Sequence, residues 1–402
     1  MRSRKKEYII TKDEVHGYAN EWLASAVRLE YEGRKCTTHV LLQILLIAAS
    51  RVVSVFAACR DLADAPTSVT IFNALYATLP EIQELERRLN RALVTKVPRA
   101  LRRKARILAM DLTLIPYHGG PANDKKEIYR SKPKSGTSHF HAYATAAVVH
   151  KGYRYTLALT RVEYGETMKD VVQRLLAIVR RRGVKIKFLL LDKGFYSVRV
   201  MTYLKRLDYG FIIPVVLHGK KKSGSKAPPT GMRALAKKKN GYYRQTIEGK
   251  EGKKKVTTEV RVCVASKQYV KESTGKKCRK KLLYAIWKVR RTPQEIREIY
   301  RKRFGIETTY RQMNEARIKT CARDPRVRLL FVGIALVLRN VWVWIHFRFA
   351  KNKYGEEPQL FLELLRFEEM LLWITQVIQQ ALGAHKTKGV DYRTYERLTS
   401  SA

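Results

Sequence analysis

Between residues 106 and 214 the apolar residues change period several times, and few folds accept the resulting order. Ile107–Ile115 is apolar enough for a buried strand and is stopped by Pro116. Thr137–His150 and Tyr153–Val162 read as a hairpin about Lys151-Gly152. Thr167–Arg182 has the spacing of an amphipathic helix that ends at Gly183. Lys187–Leu191 is a short buried strand, followed by a helix over Ser197–Leu207 and a strand over Gly210–Pro214. Three meandering strands and then alternating helix and strand predict an α/β layer architecture with a mixed sheet.

The flanks follow other patterns. Residues 1–100 read as helical: apolar Val40–Cys59 interrupted mainly by Arg51, then Val69–Leu79, then a charged helix Glu81–Leu93 opened by Pro80. Short helices joined by tight turns predict a DNA-binding bundle of helix-turn-helix type. A bundle used only for packing or dimerisation is the alternative. Residues 216–290 hold 23 Lys or Arg against 4 Glu, with strand candidates Tyr242–Glu248, Lys255–Ser266 and Lys281–Val289. They read as a basic β-rich insertion that begins with a flexible Gly/Lys/Pro stretch, Gly219–Thr230. A long helix is expected from Thr292 to about Thr320, and two more around Trp342, Trp344 and Trp373. The α/β core would then cover 101–215 and 291–322, with a C-terminal helical region over 323–402.

Charge narrows the function. Of 402 residues, 81 are Lys or Arg and 35 are Asp or Glu, a net charge of +46. With 45% hydrophobic residues the chain still builds a core, so the charge belongs to a folded surface made for a polyanion, by default nucleic acid. No apolar segment follows the basic Met1–Lys6, so no secretory signal is read there. The apolar run Leu329–Leu338 is cut by Arg339 and Asn340, too soon for a bilayer span. Five cysteines without C-x-x-C spacing predict reduced thiols in an intracellular protein.

In so basic a chain, acids in apolar settings carry information. Asp111 stands mid-strand, sharing a face with Ala109 and Thr113, where a carboxylate costs energy unless a cation or donors compensate. An exposed edge strand is the alternative. Asp192 ends the buried strand Phe188–Leu191 and precedes Lys193-Gly194-Phe195, at the strand end where ligands bind in α/β sheets. A turn aspartate is the alternative. Glu307 falls on one helical face with Tyr300, Arg303, Arg311 and Asn314. Taken alone, its pairing with Arg303 is worth a few tenths of a kcal/mol, about 0.2–0.5. Together, two aspartates from neighbouring strands and a glutamate from a packed helix can converge on one sheet edge. Such a cluster repels itself unless divalent cations sit in it, which implies Mg²⁺ or Mn²⁺. Two ions about 4 Å apart suit in-line phosphoryl displacement.

These residues resemble the DDE transposases of bacterial and archaeal insertion sequences, which have a ribonuclease H-like core. Met110-Asp111-Leu112-Thr113 through Ile115-Pro116-Tyr117 is similar to the first-Asp strand, and Leu191-Asp192-Lys193-Gly194-Phe195-Tyr196 to the second-Asp motif. Tyr300, Arg303 and Glu307 have the spacing of the Tyr-Arg-Glu-Lys motif of the insertion-sequence-four group, with Asn314 at the Lys position. Asp192 and Glu307 are 115 positions apart, room for the β-rich insertion that also marks this group.

The resemblance implies cut-and-paste transposition. Activated water nicks a strand at the element's end, and the freed 3′-hydroxyl attacks the other strand or target DNA. Asp111 and Asp192 would bridge two Mg²⁺ or Mn²⁺ ions and Glu307 would hold the second. Tyr300 and Arg303 would grip phosphates near the scissile bond. With Asn314 in place of Lys, Lys193, Arg311 or Lys319 would have to supply the missing cation. Lys220, Lys221 and Lys222, Lys237, Lys238 and Lys239, and Lys253–Lys255 read as phosphate contacts. The implied partner is double-stranded DNA, engaged by a homodimer in the synaptic complex, in the cytoplasm of a bacterium or archaeon and without a membrane. Trp287 is either a core residue or a stacking platform for a flipped base. His139 and His141 share a strand face but lack a third zinc ligand. Two other readings stay open: a catalytically inactive, transposase-derived DNA-binding protein, and a ribonuclease H-like nuclease.

Overall fold

The structure is a computed structural model and describes residues 9–150, 152–219, 230–251, 254–270, 272–273, 275–349, 360–385 and 396. Lys220, Lys221, Lys222 and Lys253 lie outside the described residues.

The strand expected to carry Asp111, β1 (Arg106–Pro116), is central rather than at an edge. Its neighbours are β3 (Thr137–His150), antiparallel, and β5 (Ile186–Leu191), parallel. β4 (Tyr153–Val162) pairs with β3, and β6 (Phe211–Pro214) runs parallel to β5. The order β4-β3-β1-β5-β6, antiparallel on one side of β1 and parallel on the other, is that of a ribonuclease H-like sheet. Helices α7 (Met168–Arg180) and α8 (Val198–Arg206) make the crossovers.

Two features of the sheet go beyond the sequence reading. A strand β2 (Tyr129–Lys134) pairs with the start of β3. It is mostly exposed and lacks apolar alternation, so no periodicity announced it. The basic strands β7 (Gly241–Glu251), β8 (Lys254–Val270) and β9 (Lys277–Trp287) do not form a sheet of their own. β9 pairs antiparallel with β6, which carries the central sheet on to nine strands.

The helix expected from Thr292 to Thr320 is two helices. Thr292 caps α10 (Pro293–Arg301) in a reciprocal capping box with Glu295. The chain then tightens through i→i−3 bonds, Arg303 N to Tyr300 O and Gly305 N to Lys302 O, before α11 (Phe304–Asn314). A Cβ on Gly305 would collide with the Arg154 guanidinium of β4, so the glycine lets α11 settle on the sheet.

The described helices before β1 and after α11 form one helical layer. α1 (Lys12–Val27), α2 (Thr38–Ser50), α3 (Val55–Arg60), α4 (Ser68–Thr78) and α5 (Ile82–Ala92) lead through α6 (Arg99–Arg103) into β1. Beyond α9 (Gly231–Leu235) and the sheet, α12 (Pro325–Phe349) and α13 (Phe367–Leu382) return to pack among them. α12 is long and apolar enough to cross a membrane, but 94% of its most apolar window is buried inside the protein. Leu89 of α5 presses against its Gly333, where a Cβ would not fit. Arg339 and Asn340, which interrupt the apolar run, are buried and tie the layers together. Asn340 donates to Leu93 O at 2.8 Å and Thr156 O at 2.7 Å and accepts from Thr156 N at 3.0 Å. Arg339 reaches Gln312 of α11 at 3.0 Å and Arg154 O at 2.9 Å. Burial pushes its guanidinium down to about 9.

Candidate active site

The register of β1 against β5 sets the site. Met110 pairs with Leu191, the last such pair, so Asp111 and Asp192 follow side by side where β5 ends and β1 runs on beside β3. Two tyrosines clamp these ends to the following helices. Tyr300 of α10 donates to Leu191 O at 3.1 Å, and Tyr310 of α11 donates to Asp111 O at 2.9 Å. Both phenols are buried, which raises their pKa values and keeps them donors.

Arg303 stands at the turn between the two helices, buried, and meets all three carboxylates. Its Nη1 donates to Asp111 Oδ2 at 2.8 Å, and its Nη2 lies 3.1 Å from Glu307 Oε1 and 3.4 Å from Asp192 Oδ1. Asp111 also accepts from Leu112 N at 2.8 Å. Burial pushes the Asp111 carboxyl up to about 6; the Arg303 charge works against this, while Asp192 and Glu307 add to it. Burial works to lower Arg303, and the surrounding Tyr300, Asp111, Asp192 and Glu307 more than offset it.

The structure thus brings Asp111, Asp192, Glu307 and Arg303 together. Tyr300 is buried, with its ring 5.0 Å from that of Tyr284, and lines a neighbouring cavity rather than the carboxylate cleft. Lys193 does not point into the carboxylate cleft but lines a neighbouring cavity of about 550 Å³ with Lys267, Lys280, Tyr284 and Arg297. Arg311 and Asn314 do line the cleft, of about 560 Å³, and Asn314 Oδ1 accepts from Arg317 at 3.2 Å. Lys319 sits away from it, bridged to Ser54. Lys237, Lys238 and Lys239 are exposed on the turn before β7, with Lys238 over the Tyr243 ring at 4.8 Å. Trp287 lies at the end of β9 beneath Lys205, 4.5 Å from its ring centroid. His141 is buried against Tyr117, 4.6 Å between rings, and burial pushes it down to about 3.

Sequence reasoning missed Tyr310 and Lys134. Tyr310 falls three residues past Glu307 on the same helix, and that spacing was the available signal. Lys134, on the unforeseen β2, also lines the cleft.

The donor set suits a hard divalent cation: three carboxylates gathered about one positive charge. They surround the guanidinium rather than a common point, and among the described residues no three His, Cys, Asp or Glu side chains form a ready ion cage. Arg303 occupies the space between them, and Glu307, whose side chain is 55% exposed, has room to rearrange.

Like charges face each other along the basic strands: Arg244 opposite Arg261, Lys250 opposite Lys255, and Lys267 opposite Lys280. Such pairs destabilise a sheet. The buried face of Val260, Val262, Val264 and Ala285 holds it together.

The transposase DDE domain family matches residues 102–341. No curated protein matches the chain. Among solved structures it is similar to the piggyBac transposase in a synaptic complex with hairpin DNA. That likeness has a TM-score of 0.52 and 12% identity, covering 99% of this chain and 90% of that one. At such identity it speaks for the fold, a ribonuclease H-like transposase fold. The family match spans more than half of the sequence and takes in Asp111, Asp192 and Glu307, so the chain belongs to the transposase DDE domain family.

Proposed function

We propose that this transposase cuts DNA at the ends of an insertion sequence and joins the freed 3′ ends to target DNA, by cut-and-paste transposition. The observation that carries the reading is the convergence of Asp111, Asp192 and Glu307 on the single Arg303 guanidinium at the β1–β5 edge. Asp111, Asp192 and Glu307 would hold Mg²⁺ or Mn²⁺, two ions in all. Bound there, such ions lower the pKa of an attacking water and stabilise the leaving oxygen of an in-line phosphoryl displacement.

The chain's own residues orient that chemistry. Tyr300 and Tyr310 hold the backbones that present the two aspartates. Arg303 keeps the carboxylates aligned and, once they turn to cations, is placed to offer its charge to a phosphate. Arg311 contacts DNA from α11 and Lys193 from the neighbouring cavity. Lys220, Lys221, Lys222, Lys237, Lys238 and Lys239 add phosphate contacts along the basic insertion, whose opposed like charges are relieved by a polyanion. Double-stranded DNA is therefore the partner, and the likeness to a transposase in complex with DNA supports it. The helical layer built from residues 1–100 would take part in end binding, and two copies would meet in the synaptic complex. The Tyr300, Arg303 and Glu307 spacing supports membership of the insertion-sequence-four group, in a bacterial or archaeal host.

The test is incubation in Mg²⁺ with duplex DNA carrying the inverted repeats that flank the gene. Nicks with 3′-hydroxyls at the repeat boundary, followed by joining to a second duplex, are expected. Binding without cleavage in Mg²⁺ or Mn²⁺ would return the chain to an inactive DNA-binding protein, and preference for RNA–DNA hybrids to a nuclease.

A further inference from the structure

The cleft has a cation that neither the motif nor the mechanism above uses. Lys134 is the last residue of β2, opposite Thr137 across the two-residue turn Ser135-Gly136. Both turn residues have positive φ, 52° and 76°, the pattern of a type I′ hairpin, so the tip is tightly defined. The hairpin is tied to the chain leaving β1: Thr137 Oγ1 donates to Tyr117 O at 2.9 Å, and Tyr117 N donates to His139 O at 3.0 Å. Its tip is thus fixed with respect to the strand that carries Asp111.

Besides Arg303, two cations line the cleft: Arg311 on the helix side, given to DNA above, and Lys134 on the hairpin side. Arg303 is committed to the carboxylates. Asn314 is neutral, and its oxygen is taken by Arg317. Lys134 lines the same cleft from the hairpin, exposed and without a salt bridge among the described residues. A phosphodiester entering beside three carboxylates needs positive charge on its other side, and an ammonium on a long stem is a point charge suited to that.

We propose that Lys134 contacts the DNA phosphate in the carboxylate cleft and supplies from the β2–β3 hairpin the cation that Asn314 does not supply from α11. The inference rests on the transposase reading for its substrate, but its test separates the two. The probe is a nicked duplex carrying the flanking inverted repeat, bound in Ca²⁺ over a range of monovalent salt and cleaved in Mg²⁺. Lys134→Ala should flatten the log–log salt dependence of binding by about 0.9, one phosphate contact. It should also slow single-turnover cleavage at saturating DNA by about 10²-fold. Lys134→Arg should keep the slope and most of the rate, and adding Asn314→Lys to Lys134→Ala should restore part of both. An unchanged salt slope in Lys134→Ala overturns the inference, whatever happens to cleavage. A flattened slope in a protein whose wild type cuts no DNA upholds the contact and overturns the transposition reading.

Discussion

The Tyr310 hydroxyl donates to the backbone oxygen of Asp111 at 2.9 Å while lying 2.8 Å from Thr145 Oγ1 on the neighbouring strand. It thus fixes α11, and with it Glu307, to the place where β1 outruns its pairing with β5. Tyr310→Phe keeps the ring and removes the bond, leaving Asp111 O and Thr145 without that partner. Thermal or urea unfolding should show a loss of about 1–3 kcal/mol. Cleavage should fall while end binding is kept, and unchanged stability would mean that the clamp is not formed in solution.

Asp111→Asn, Asp192→Asn and Glu307→Gln each remove a charge and almost no volume. Each should lower strand cleavage in Mg²⁺ by about 10³-fold or more and leave duplex binding nearly intact. Near wild-type cleavage in any one would remove that residue from the catalytic set.

Burial holds the Asp111 carboxyl up at about 6, above the unfolded value of about 3.9. Between those two values the folded chain keeps a proton that the unfolded chain has lost. The Asp111 contribution to stability therefore falls as pH rises through that window and is level above it. Thermal unfolding in EDTA should show Asp111→Asn gaining on wild type from about pH 4 to 6. Parallel curves for the two proteins would contradict the burial of this charge.

Arg303 is the counter-charge for three carboxylates. Arg303→Gln should lower the melting temperature in EDTA because the remaining acids repel one another. Added Mn²⁺ should then raise it further in the variant than in wild type, since a ligand that binds only the folded state stabilises it. An equal Mn²⁺-induced rise in both would mean that guanidinium and cation do not compete for the same oxygens.

Replacing Lys220, Lys221, Lys222, Lys237, Lys238 and Lys239 with Gln should weaken binding at all sequences. The salt dependence should flatten by about 0.9 of a log–log unit for each phosphate no longer neutralised. Filter binding at several salt concentrations reads this directly, and an unchanged slope assigns these lysines to a merely solvated surface.

What the sequence by itself determined was local and periodic. The hairpin Thr137–His150 and Tyr153–Val162 was legible to the residue, because alternation and the Lys151-Gly152 turn both lie within a few positions. Asp111 and Asp192 stood out because a carboxylate in or at the end of an apolar strand needs a reason. Whatever depends on contacts far apart in sequence was decided only by the tertiary structure. β2 is a strand because the edge of β3 pairs with it, not because Tyr129–Lys134 has a strand's pattern. The break at Lys302 and Arg303 comes with α11 seating Gly305 against Arg154. That break places Arg303 among the acids and buries Tyr300, where helical spacing had put both on one face with Glu307. Arg339 and Asn340 looked like interruptions of an apolar run. They are its most specific contacts, because buried polar groups must find partners, and theirs lie on β4, on α11 and just beyond α5.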